Sequence, residues 1–118
     1  MRDYPKAIKR LLRDYNAEAY ERELQRELVK LDKSFAEWRE GKIGSGELSA
    51  RVHDYERGPS RKLFEQHNSG EQDMCVAYAI VTGILDRDKI PAELLEAIKG
   101  PLAFYQSLKE QNELREPG

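Results

Sequence analysis

The stretch His53-Asp54-Tyr55-Glu56-Arg57-Gly58-Pro59-Ser60-Arg61 concentrates more chemically capable side chains than any other in the chain. His53 and Arg57 are four residues apart and share a face if the segment is helical. Pro59 suits the first turn of a new helix, so Gly58 would close one helix and Arg61 would open the next. Free N–H groups after Pro59, together with the two guanidiniums, would hold a carboxylate or a phosphate. His53, Arg57 and Arg61 are therefore the candidate ligand-binding residues. The competing use of these charges is an internal salt-bridge network with Asp54 or Glu56 that pins two helices together. Nothing in the pattern is specific to a ligand, so the structural use weighs more.

Other chemistry finds little support. The two histidines, His53 and His67, each have one carboxylate within helical reach, Glu56 and Glu71 respectively. A metal centre needs three or four converging ligands. No H-E-x-x-H, C-x-x-C or E-x-x-H spacing occurs, and no G-x-S-x-G or P-loop. No metal, no cofactor and no catalytic residue is expected. The single cysteine, Cys75, lies in the most apolar stretch and reads as an inert core thiol.

These residues must be positioned by helices. Apolar side chains recur at Ile8, Leu12, Tyr15, Ala19, Leu24, Leu28, Leu31, Phe35 and Trp38, almost always three or four residues apart. That spacing predicts a long amphipathic helix, begun by Pro5 and stopped at Gly41. The step from Ala19 to Leu24 is five residues, and Asn16 precedes it, so the segment is either one bent helix or two meeting around Asn16–Tyr20. Gly41–Gly46 forms a turn in which Ser45 has the place of an N-cap, followed by a helix with Leu48, Val52 and Tyr55 inward. A helix over about Glu71–Asp86 is apolar all round, from Met74 to Leu85, and so belongs at the centre of the others. Pro91 opens a further helix, interrupted at Gly100-Pro101 and continued by Leu102, Phe104, Tyr105 and Leu108. The predicted architecture is all-α: about five helices around the central apolar one, in a single domain over 1–118 with 110–118 a frayed tail.

Charge narrows the partners. Lys and Arg number 20 against 22 Asp and Glu, leaving a formal charge of −2. No global excess points to nucleic acid or an anionic membrane. The first 16 residues nevertheless carry five basic side chains, Arg2, Lys6, Lys9, Arg10 and Arg13, against two Asp. Residues 2–13 are thus the place for a nucleic-acid contact if there is one. The longest apolar run is too short for a bilayer span, and no apolar signal core opens the chain, so a cytoplasmic protein is expected.

The segments Ala19-Tyr-Glu-Arg-Glu-Leu24, Phe35-Ala-Glu-Trp-Arg-Glu-Gly-Lys-Ile43, His53 to Arg61 and Ala79-Ile-Val-Thr-Gly-Ile-Leu-Asp-Arg-Asp-Lys-Ile-Pro91 resemble small bacterial all-helical proteins of uncharacterised role. The resemblance implies a bacterial cytosolic protein and carries no activity or site residue with it. From the residues themselves, the leading expectation is a non-enzymatic helical interaction module that self-associates as a homodimer through the long first helix. Tyr20 and Trp38 are its candidate interface residues, aromatics being common contact anchors. The rival readings are a nucleic-acid-linked regulator of antitoxin type and a small-anion binder or enzyme at His53, Arg57 and Arg61.

Overall fold

The computed structural model of the protein describes residues 3–118. The first helix, α1, runs unbroken from Lys6 to Arg39, 34 residues in one piece. Of the two arrangements open from sequence, the single helix is the one formed. Asn16 does not break it, because its side chain bonds to a neighbouring helix instead of competing for its own backbone. At 1.5 Å per residue such a helix is about 51 Å long, and the molecule's longest axis is 53 Å. The helix stops as expected at Gly41, whose left-handed φ of 78° lets Lys42 N–H reach the Glu37 carbonyl at 2.8 Å.

The chain then returns along α1. Helix α2 (Ser45–Tyr55) is followed by a π-helical turn (Glu56–Ser60) and by α3 (Arg61–His67) without interruption. Three contacts set the antiparallel register: Trp38 with Ser45, Ser34 with Arg51, and Asn16 with His67. Ser45 is the first helical residue and not the N-cap, which is Gly44. Its hydroxyl instead accepts a hydrogen bond from the Trp38 indole at 3.1 Å.

The expectation that Gly58-Pro59 separates two helices is corrected. Backbone angles stay helical from Tyr55 to Arg61. Proline lacks a donor and its ring collides with the carbonyl one turn back. A widened π-turn relieves both problems while the axis continues.

Helix α4 (Gln72–Val81) is the apolar centre, with every side chain from Cys75 to Val81 buried. It ends five residues before the expected Asp86, because Gly83 turns left-handed (φ 84°) and Leu85 N–H folds back to the Ala79 carbonyl. A single 3-10 turn (Arg87–Lys89) leads to α5 (Ala92–Ala97) and α6 (Lys99–Glu110). Pro101 lies in the first turn of α6, where its missing N–H costs nothing, so the break falls at Ile98.

The core is one-sided. Ile8, Leu12 and Ala19 meet α4, and Ile84, Leu85, Ile90, Leu94, Ile98 and Leu102 close around it; no residue between Ala19 and Val76 belongs to this cluster. Here the stripe read along α1 needs correction. Four residues advance a helix by about 40° past a full turn, and five by about 140°. The buried line therefore continues from Ala19 to Glu23 and on to Ser34. Leu24, Leu28, Leu31 and Phe35 are rotated away from it. Leu28 is 46% exposed, Val29 61% and Trp38 41%.

Candidate functional site

A groove of about 430 Å³ opens between α1, the π-turn and α3, with Tyr78 of α4 and the segment 115–118 completing its lining. Glu23, Arg26 and Glu27 of α1 form one side, and residues 57–59 and 61–63 with Glu65 and Gln66 form the other. The helix register explains these placements. Glu23 follows Ala19 by four residues on the buried line of α1, and Tyr78 is on the α4 turn that faces it.

Beside the groove is a buried polar cluster. Asn16 clips His67 twice: its amide donates to the His67 carbonyl at 2.9 Å, and its Oδ1 lies 2.7 Å from His67 Nδ1. An amide oxygen can only accept, so this pairing assigns the proton to Nδ1. Nε2 faces the Gln66 amide nitrogen at 3.4 Å. Tyr20 covers the imidazole with its ring, centroids 5.2 Å apart.

Glu23 Oε1 lies 3.9 Å from the same Nε2. The side chains of His67 and Glu23 are only 2% and 8% exposed. Among the described residues Oε1 has no hydrogen-bond partner. A buried carboxylate oxygen without a donor is costly, and such groups are uncommon in folded chains. Its charge is felt nearby. Burial pushes the Cys75 thiol up to about 11, with Glu23 and then Glu71 adding to the shift. The Tyr78 hydroxyl is also raised, first by burial, with Arg115 opposing and Glu23 reinforcing.

The residues singled out from sequence divide. Arg57 and Arg61 both line the groove, whereas His53 is exposed and does not. The free N–H groups expected after Pro59 are not available, since the helix continues and Arg61 N–H donates to the Gly58 carbonyl. Arg57 lies 3.5 Å from Asp54, and Arg61 3.9 Å from Glu56, both as exposed pairs. Tyr20 is engaged within the chain by His67, and Trp38 by Ser45. In the basic opening segment, Lys9 pairs with Asp3 at 3.1 Å and Arg13 approaches Asp14 at 3.9 Å. Arg2 lies outside the described residues.

The segment past Glu110, expected to fray, carries no further helix and folds back on the groove. Tyr78 donates to the Arg115 carbonyl at 2.7 Å, and the Arg115 guanidinium lies over the Tyr78 ring, 5.2 Å from its centre. Glu23, Asn16 and His67 were missed as a cluster, although a signal existed. Asn16 and Glu23 occupy core positions in the series Ile8, Leu12, Asn16, Ala19, Glu23. Polar residues at core register mark a buried polar contact.

Among the described residues no helix is long and apolar enough to cross a membrane. No protein-family model matches the chain, and neither a curated protein nor a solved structure matches it.

Proposed function

We propose that the protein is a helical interaction module that pairs with a second copy of itself through the outer face of α1. The observation carrying this reading is the rotated stripe. Leu28 and Val29 stand exposed in the half of α1 that runs beside α2, the π-turn and α3. With Leu24 they line a shallow groove framed by Glu21, Gln25 and Asp32. A two-helix layer leaves one apolar side uncovered, and a twofold pairing of such layers makes a four-helix arrangement with that side inside. A second copy fits because an isologous contact uses the same patch on both partners.

Light scattering at micromolar concentration tests this. A mass of twice 13.7 kDa is expected, and a mass of 13.7 kDa throughout overturns it. The double substitution Leu28→Glu, Val29→Glu should return the monomer with helicity intact, because both positions face solvent within the chain.

A further inference from the structure

Glu23, whose Oε1 has no hydrogen-bond partner among the described residues, lines the groove, and that juxtaposition has a chemical meaning. His67 Nε2 is 3.9 Å away, beyond hydrogen-bond distance. What Glu23 lacks is a donor, preferably a charged one. The same groove already receives an organic cation from within the chain. Arg115 lays its guanidinium over Tyr78, an arrangement favourable by charge–quadrupole attraction, and donates to Gln66 Oε1 at 3.4 Å.

The lip of the groove has the opposite character. Arg26, Arg57, Arg61, Lys62 and Arg115 line it with Glu27, Glu65 and Glu116. Glu27 is already occupied by Lys30 at 2.8 Å. Arg26 and Lys62 have no ion-pair partner among the described residues. The guanidiniums of Arg57 and Arg61 are more than half exposed, and their pairs with Asp54 and Glu56 are long. Exposed pairs of that kind yield readily to a better anion. The charge thus divides into a buried carboxylate oxygen without a donor and exposed cations.

We propose that this groove is a binding site for a small zwitterion. Its ammonium group seats on Glu23 beside Tyr78, and its carboxylate or phosphate meets Arg57, Arg61 and Lys62 at the mouth. A volume of about 430 Å³ is at the small end for organic ligands and suits a compact molecule of this type. Neither charge alone satisfies the site, because a simple amine leaves the lip unanswered and a simple anion leaves Glu23 unpaired. This assignment is independent of pairing through α1, whose exposed residues lie outside the groove.

Isothermal titration of the whole chain tests it with γ-aminobutyrate and phosphoethanolamine as zwitterions, and with ethylammonium, acetate and inorganic phosphate as single-charge probes. At least one zwitterion is expected to bind about tenfold tighter than any single-charge probe. Glu23→Gln keeps the side chain's shape and should weaken that zwitterion at least tenfold. The double variant Arg57→Ala, Arg61→Ala, at exposed positions that leave the fold intact, should weaken the zwitterion and leave ethylammonium unchanged. The two zwitterions separate a carboxylate-bearing ligand from a phosphate-bearing one. Absence of zwitterion binding at millimolar concentration overturns the proposal. So does binding of phosphate, acetate or ethylammonium as tightly as the better-bound zwitterion. Should Glu23→Gln fail to fold, the probe series on the natural chain and the double arginine variant still decide the matter.

Discussion

The two halves of α1 are built by opposite rules. From Ile8 to Ala19 the buried side is apolar but for Asn16 and meets α4, α5 and their connections. From Glu23 to Ser34 the buried side is polar and meets α3 and α2 through the Glu23–His67 approach and the Ser34–Arg51 hydrogen bond at 3.1 Å. The first half gains from removing apolar surface from water, which is insensitive to detailed geometry. The second half depends on pairing particular atoms, where an unpaired group costs more than a paired one gains. One continuous helix thus carries a hydrophobic core at one end and a polar, outwardly apolar arm at the other. The arm is where Leu28, Val29 and Trp38 are left exposed.

The largest effect should come from the core half. Ile80→Asp places a carboxylate among side chains with no donor near, at a cost of several kcal/mol against a whole-domain stability of about 5–15 kcal/mol. Thermal melting by circular dichroism should show an unfolded chain; unchanged melting would mean that α4 is not the centre.

Next comes the boundary between the halves. His67→Ala removes the imidazole that Asn16 and Tyr20 hold and leaves Asn16 Oδ1 unpaired in the interior. A loss of roughly 2–4 kcal/mol is expected in urea unfolding. A loss near zero would show that the α1–α3 contact adds nothing to the core.

A smaller effect tests the core side by pH. The Cys75 thiol, ordinarily at 9.0, is pushed up to about 11 by burial and by Glu23. The folded chain therefore keeps its proton where the unfolded chain loses it. This contribution to stability is complete below pH 9 and disappears as pH rises toward 11. Denaturation midpoints should fall across that window and fall less in Cys75→Ala, compared with the natural chain. Equal slopes in the two proteins would remove Cys75 from the account.

The smallest effect belongs to the arm. Arg51 reaches Ser34, Glu37 and Glu47, all at distances of 3.1–3.5 Å, but remains partly solvated. Arg51→Ala should cost under about 1 kcal/mol, and less in high salt. A cost of several kcal/mol would place the arm's stability on a par with the core's and end the contrast drawn here.

Local rules explain what was legible. Gly41 ends α1 because only a residue free to take positive φ completes that stop. The apolar run around Val76–Val81 announces a helix surrounded by others, and it is. The all-α class and the long first helix follow from apolar spacing alone. Arg57 and Arg61 could be named as a charged cluster in the same way, since both stand in one short segment.

Contacts between distant segments decided the rest. Pro59 rides within a continuous helical stretch as part of a π-turn that lies against α1. The partner of His67 is not the neighbouring Glu71 but Asn16, 51 residues away. Glu23 is buried beside His67 of α3, where its Oε1 has no hydrogen-bond partner among the described residues. Sequence alone determined the all-helical class, the stop of α1 at Gly41 and the core-forming run, because spacing and backbone preference act within a few residues. Tertiary structure determined which face of α1 is buried past Ala19 and which charges share a groove. A five-residue step rotates the stripe, and only packing selects whether the apolar or the polar line meets the next helix.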